Sequence, residues 1–250
     1  MLPYLQIGPL ALPLPGLLIL AGIWLGLSLA EVNAQRWGIK SSDLYNLSYL
    51  SLISGLLGAR LAMALRFPEA FQANPASLLS LNPDLLDFTG GVLTAILAGL
   101  IFGQRKRLAF WATLDALTPV LAVLMTAVGL SHLAAGTAFG APSSLPWAIE
   151  LWGAARHPSQ VYESLAAGLI LLLAWPGRSW LVSTKPGIYF LRFTCLSAGA
   201  RLFLEAFRGD SQLILGGLRS AQVAAWLVLA GCLAALFYLL KLPTLTEPSQ

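Results

Sequence analysis

Residues 156–163 read Arg-His-Pro-Ser-Gln-Val-Tyr-Glu, and residues 164–175 continue Ser-Leu-Ala-Ala-Gly-Leu-Ile-Leu-Leu-Leu-Ala-Trp. The densest polar run of the chain therefore opens directly into a stretch that is apolar after its first serine. Pro158 suits the first position of a helix, where its missing N–H costs nothing. Ser159, Gln160, Tyr162 and Glu163 then fill the first two turns at a membrane surface, where the positive end of the helix dipole favours Glu163. Residues three or four apart share a helical face, so Ser159 can meet Tyr162 or Glu163, and Gln160 can meet Glu163 or Ser164. One reading is an interfacial anchor with a good cap. The other is a polar constellation that holds a site at the membrane face.

The surrounding composition fixes the solvent. Of 250 residues, 57% are hydrophobic and only 10% are charged, against about a quarter charged in soluble domains. A soluble protein is excluded, and lipid is the natural environment. The net charge of +4 bears on orientation. No basic patch interleaved with aromatics is present, which sets nucleic-acid binding aside. Two cysteines, Cys195 and Cys232, lie inside apolar stretches without metal-ligand spacing or a disulfide framework. Neither a metal nor a cofactor is expected.

Outward from residue 156, seven stretches approach the roughly 20 helical residues that cross a hydrocarbon core. They are about 14–30, 47–65, 89–102, 110–133 (with Pro119 as a kink), 159–175, 187–207 and 221–240. Prolines 3, 9, 13 and 15 favour an irregular lead into the first. Residues 69–87 read as an interfacial loop with a short helix, and the polar tail from Lys241 as disordered. The expected fold is all-α: a single seven-helix membrane domain over 1–240, an outer cap loop at about 134–157, and a cytoplasmic tail at 241–250. With the N-terminus outside, the inner side holds Arg36, Lys40, Arg105, Lys106, Arg107, Arg178, Lys185 and Lys241, and the outer side Arg66, Arg156, Arg208 and Arg219. That excess of inner positive charge favours N-out, C-in.

Charges within the spans are the informative exceptions, since each is costly unless paired or wet. They are Arg60, Asp115, Glu163, Arg192, Arg201 and Glu205. Arg201, Glu205 and Arg208 stand at i, i+4 and i+7 and share one face. Such a stripe can bind a phosphate while Glu205 orients both guanidinium groups. It can equally be an internal salt bridge to a neighbouring helix, with Asp115 a candidate partner. His132, at the outer end of the fourth stretch, reads as an interfacial hydrogen-bonder or as a base.

Several stretches in order resemble the prolipoprotein diacylglyceryl transferase family. Ile7-Gly8-Pro9-Leu10-Ala11-Leu12, Gly58-Ala59-Arg60-Leu61, Phe88-Thr89-Gly90-Gly91, Asp115 with Pro119, and Pro146-Trp147-Ala148 are each similar to a family element. Arg156-His157-Pro158-Ser159-Gln160-Val161-Tyr162-Glu163 matches almost letter for letter, and Arg201-Leu202-Phe203-Leu204-Glu205-Ala206-Phe207-Arg208 resembles the family's Arg…Glu…Arg stretch. The resemblance implies a multi-pass protein of the bacterial cytoplasmic membrane that moves diacylglyceryl from phosphatidylglycerol onto the lipobox cysteine of a preprolipoprotein, releasing glycerol phosphate. A thiol must be deprotonated, and cations must hold a phosphate as charge develops. Arg60, Arg201, Glu205 and Arg208 are the expected phospholipid-binding residues. Arg156, His157, Ser159, Gln160, Tyr162, Glu163, Gly90 and Gly91 are the expected framework, with His132 the candidate base.

The sequence departs from the family pattern where the chemistry should sit. The family histidine of Phe-His-Gly-Gly is Thr89. The signature arginine falls at Gly129, its asparagines at His132 and Ala135, and its glutamate at Thr137. A helix-one histidine and tyrosine correspond to Pro13 and Pro15, and a later tyrosine falls near Ser197. Transfer activity is therefore expected to be weakened or lost. The alternative is a non-catalytic subunit that binds phosphatidylglycerol or another anionic phospholipid, or that serves as a scaffold in a membrane complex. A transporter or channel is disfavoured, since neither an internal repeat nor a broken-helix pair stands out.

Overall fold

The computed structural model describes residues 4–8, 10–80, 85–175, 183, 185–214 and 216–241. The tail beyond Lys241, together with Pro3, Pro9, Pro83 and Arg178, lies outside them. Eight α-helices run along the described chain: α1 Leu14–Ala34, α2 Ser41–Arg66, α3 Pro68–Ala73, α4 Phe88–Arg105, α5 Phe110–Ala135, α6 Ser159–Leu173, α7 Ile188–Leu204 and α8 Ser220–Lys241. Three two-stranded antiparallel ribbons join them: β1 Tyr4–Ile7 with β2 Leu10–Pro13, β3 Ile149–Leu151 with β4 Ala154–Arg156, and β5 Leu213–Ile214 with β6 Leu218–Arg219. The all-α expectation holds for the body but overlooked these ribbons, which are too short to leave a period-two pattern.

Among the described residues, five segments are long and apolar enough to cross a membrane: Leu14–Trp37, α2, α4, α5 and α8. The chain is a membrane protein on that ground. Seven stretches were expected. The remaining two form helices of 15 residues (α6) and 17 residues (α7), about 22 and 26 Å at 1.5 Å per residue. Local chemistry sets these lengths. Pro158 stands as the cap of α6, one place earlier than the sequence suggested, and Gly187, at φ 90°, precedes α7. After Leu204 the chain tightens into a 3-10 turn, Glu205–Phe207, which carries Glu205.

The chain divides into two compact units, residues 1–33 with 114–250, and residues 34–113. In the first, Ala122, Ile170, Ala174, Tyr189 and Phe193 form a buried cluster that joins α5, α6 and α7. Pro119 lies inside α5 and has no N–H to offer the carbonyl of Asp115 one turn back. The Asn33 side-chain amide donates to that carbonyl instead, at 2.7 Å. The fully buried Asp115 carboxylate accepts from the backbone N–H groups of Gly187 (2.7 Å) and Phe190 (2.8 Å). Asp115 thus caps the first turn of α7, where free N–H groups need an acceptor. The candidate ion pair between Asp115 and the Arg201 stripe is not formed among the described residues; Glu163 and Glu205 pair with Arg201 instead.

In the second unit, α2 and α4 pack through small residues. A Cβ added at Gly58 would stand 2.1 Å from Thr94 Oγ1, and one at Gly90 would stand 2.2 Å from Ala62 Cβ. Backbones approach this closely only where side chains are minimal, the usual solution for helices in lipid. Asp87 caps α4, accepting from the N–H of Gly90 at 2.7 Å.

Candidate functional site

The site grows from the first turns of α6. Ser159 Oγ donates to the Ala138 carbonyl at 2.7 Å, and Gln160 Nε2 donates to the Thr137 carbonyl at 3.0 Å. Both side chains are buried. The sequence placed their partners within the helix, whereas the structure gives them to the chain that follows α5. Residues 139–143 then pass between two segments as a linker with isolated bridges, Gly140 to Arg208 and Pro142 to Arg156. Ala141 N–H donates to the Phe207 carbonyl (2.8 Å), and Gly209 N–H donates to Phe139 (2.9 Å). On the other side His157 N–H donates to Ala141 (3.0 Å), and Ser143 N–H donates to Ala155 (2.9 Å). A Cβ at Gly140 would sit 2.1 Å from the His157 carbonyl oxygen, so only glycine permits this crossing. Arg156 braces it: Nε donates to the Leu151 carbonyl and Nη1 to that of Gly140, with the guanidinium 4.9 Å from the Phe139 ring centre.

That crossing brings the start of α6 against the end of α7, where the charges meet. Glu163 is the hub. Its Oε1 accepts from Arg201 Nη1 and from Arg208 Nη1, each at 2.9 Å, and its Oε2 lies 3.3 Å from His132 Nδ1. Arg201 Nη2 is 2.8 Å from Glu205 Oε2. Arg208 also grips Asp210 with two 2.9 Å bonds, Nε to Oδ1 and Nη2 to Oδ2. Burial works against the Arg208 charge, but the carboxylates of Asp210 and Glu163 outweigh it and hold the guanidinium above its ordinary pKa. Ser211 Oγ donates to Glu205 Oε1 at 2.7 Å, and Arg219 Nη1 donates to the carbonyls of Glu205 and Arg208. The Arg201 side chain is 39% exposed, against 12% for Arg208 and 2% for Glu205. Arg201 is therefore the cation a ligand can reach.

Beside the charges lies an open aromatic pocket of about 480 Å³ with Trp147, His157, Tyr162, Phe203 and Phe207 in its wall. Trp147 Nε1 donates to Tyr162 Oη at 2.8 Å, and the rings of His157, Tyr162 and Phe207 meet edge to face. His157 Nδ1 is buried without a hydrogen-bond partner among the described residues.

The structure thus joins Arg201, Glu205, Arg208, Glu163 and His132 in one cluster, with Arg156, His157, Ser159, Gln160 and Tyr162 as its support. Arg60, Gly90 and Gly91 belong to the other unit. There Arg60 Nη1 donates to the Leu85 carbonyl at 3.1 Å and Nη2 to that of Ser80, while Gly90 and Gly91 lie in the α2–α4 contact. Sequence reasoning missed Asp210, Ser211 and Arg219. Asp210 and Ser211 lie just after the 3-10 turn and Arg219 ends β6, where no helical periodicity marks a partner.

The substituted positions have their own surroundings. A Cβ on Gly129 would meet Ser164 Oγ at 2.9 Å and Ser164 Cα at 3.1 Å. Gly129, which the resemblance sets against the family's signature arginine, lies at a helix–helix contact between α5 and α6. Ser197 has a buried hydroxyl with no partner among the described residues.

Comparison with known proteins agrees with the motifs. The family model described as prolipoprotein diacylglyceryl transferase matches residues 3–238. A phosphatidylglycerol–prolipoprotein diacylglyceryl transferase of Bordetella parapertussis is 31% identical over 248 residues, covering 93% of each chain. One of Clostridioides difficile is 31% identical over 231 residues, covering 90% of each. One of Nostoc sp. is 29% identical over 249 residues, covering 94% of this chain and 87% of the relative. A match over nearly the whole length, with the Arg156–Glu163 stretch at the centre of the charge cluster, settles the kinship: the chain belongs to the prolipoprotein diacylglyceryl transferase family.

Proposed function

We propose that this chain binds an anionic phospholipid, phosphatidylglycerol first among them, through Arg201 at the Glu163 cluster. Diacylglyceryl transfer onto a lipobox cysteine is weakened or lost relative to the family. As a family member with five spanning-length apolar segments, it is a multi-pass protein of the bacterial cytoplasmic membrane. One juxtaposition carries the reading. Arg201 in α7 and Arg208 just beyond it are retained and preorganised on Glu163, while Gly129 is packed against Ser164 and leaves little room for a side chain. The first half of that arrangement holds a phosphate; the second lacks a donor for the charge that develops as it leaves. Removing one such donor costs on the order of 10²–10³ in rate.

Seven crossings with the N-terminus outside, and residues 134–157 over the outer side, complete the proposal. The Arg105-Lys106-Arg107 run supports that orientation by the excess of inner positive charge. Purified protein mixed with labelled phosphatidylglycerol and a lipobox peptide tests the function. Lipid binding that disappears in Arg201→Ala, with thioether product about 10²-fold or more below that of an authentic relative, is the expected result. Transfer at a relative's rate would overturn the weakened activity. Absence of both product and binding would replace the reading with that of a scaffold subunit.

A further inference from the structure

We infer that His132, oriented by Glu163, is the proton acceptor for a thiol at this cluster, so that any transfer the chain performs runs through this histidine. This rests on phospholipid binding at Arg201 and narrows it to one route.

The geometry is that of a carboxylate–imidazole pair. His132 Nδ1 faces Glu163 Oε2 at 3.3 Å. A carboxylate at Nδ1 places the ring proton there and leaves the Nε2 lone pair as the acceptor. The His132 side chain is 33% exposed, while that of Glu163 is 13% exposed. The carboxylate is thus the enclosed, fixed member, and the imidazole is the one a substrate can reach. The other oxygen of Glu163 holds Arg201 and Arg208. A single carboxylate therefore sets both the aim of the base and the position of the phosphate-binding cation, as a thiol displacement at a phosphoester requires.

Two substitutions complement each other. Thr89 stands where the family motif has its histidine, so a base is missing there. His132 stands where the signature has an asparagine, an amide with no basic lone pair, so a base is gained. Charge favours the exchange as well. Within the cluster Arg201, Arg208 and Arg219 balance Glu163, Glu205 and Asp210. The imidazolium formed when His132 takes a proton is then stabilised by the adjacent carboxylate and by the dianionic leaving group.

The thiol proton passes to His132 Nε2, and the thiolate sulfur attacks the glycerol carbon that carries the phosphoester. A C–S bond forms and the C–O bond to phosphate breaks, with its electron pair leaving on the phosphate oxygen beside Arg201. Glycerol phosphate departs, and the imidazolium releases its proton to the departing phosphate or to water. Glu163 is the positioning residue in this scheme, and His132 the catalytic one.

The test uses the full chain in vesicles that contain phosphatidylglycerol, with a lipobox peptide as thiol donor. Thioether product and phosphatidylglycerol binding are measured on the same preparations. His132→Asn, which restores the family residue, is expected to lower product formation by about 10²–10⁴-fold with lipid binding unchanged. His132→Ala is expected to recover part of the rate when imidazole is added. Wild-type product that persists in His132→Asn would overturn the assignment, as would a loss that imidazole fails to repair while the variant stays folded. Wild-type protein that forms no product also overturns it. The binding measurement then decides separately whether the phospholipid reading stands.

Discussion

Arg60 and Arg201 are both guanidinium groups on largely apolar helices, and the protein settles them in opposite ways. Arg201 is held by carboxylates, with Glu163 on one terminal nitrogen and Glu205 on the other. Arg60, in the other unit, is held by the main-chain carbonyls of Ser80 and Leu85. Among the described residues, carbonyls satisfy the Arg60 donors; carboxylates cancel the Arg201 charge and can be exchanged for another anion of similar geometry. The first arrangement braces the main chain at Ser80 and Leu85. The second, on the proposed reading, is a docking point held ready by its own counter-ions. The backbones around them differ in the same sense. Near Arg60 the helices α2 and α4 touch through Gly58, Gly90 and Gly91, and near Arg201 the elements are joined by polar side chains and the bridged segment 139–143. Around Arg60 fixity comes from packing, and around Arg201 from paired charge.

The largest effect should follow from breaking the charge hub. Glu163→Ala leaves Arg201, Arg208 and His132 without their shared partner. Removing one member of a buried ion pair costs about 3–5 kcal/mol, and the exposure of Arg201 places this case at the lower end. Thermal unfolding in detergent measures it, with phosphatidylglycerol binding expected to fall in parallel. Glu163→Gln keeps an acceptor oxygen for one arginine and should lose less. A Glu163→Ala protein as stable as the wild type would mean that the hub is not structural, and the contrast with the packed unit would fail.

How far this hub could be read beforehand depends on distance along the chain. Arg201, Glu205 and Arg208 lie within two helical turns, and the shared face was visible from their spacing. Glu163 lies 38 residues before Arg201, and no local rule pairs them. The sequence offered Asp115 as a candidate counter-ion because it is an acid within a neighbouring span. The structure spends Asp115 on the first turn of α7, a role visible only once α5 and α7 are side by side. Apolar runs marked the helices well, because lipid imposes composition over some twenty residues. They ran two residues past the apolar end of α6 and, at α7, through the 3-10 turn that carries Glu205 into the cluster. The bridged segment 139–143 was illegible for a simpler reason. Its backbone hydrogen bonds go to segments distant in the chain, and five residues carry no period.

A smaller effect separates packing from charge in the other unit. Gly58→Ala puts a methyl 2.1 Å from Thr94 Oγ1 and 2.4 Å from Thr94 Cβ. Overpacking of this kind costs about 1–3 kcal/mol. Pairing it with Thr94→Ala removes the hydroxyl but keeps the Cβ, so only part of the loss should return. Full additivity of the two substitutions would show that they do not touch, since contacting residues couple by about 0.5–3 kcal/mol. That result would remove the close α2–α4 contact from the comparison.

The smallest global effect should come from Arg60→Ala, and it sharpens the contrast most. Each hydrogen bond from a charged group is worth about 1.5–3 kcal/mol where no solvent replaces it. Arg60 is only partly buried, and water can take over both carbonyls, so the loss should fall to about 1 kcal/mol. Its effect should be local, because both acceptors lie in one short stretch before α4. Hydrogen exchange would show faster amide exchange in peptides containing Ser80 and Leu85, with α7 peptides unchanged. Arg60→Lys offers a point charge that cannot span two carbonyls. It should therefore resemble Arg60→Ala in exchange while keeping the charge. Should Arg60→Lys instead protect that stretch as well as arginine does, the charge rather than the two-pronged geometry would be the brace. Arg60 would then belong with Arg201 after all, as a cation whose partners can be exchanged.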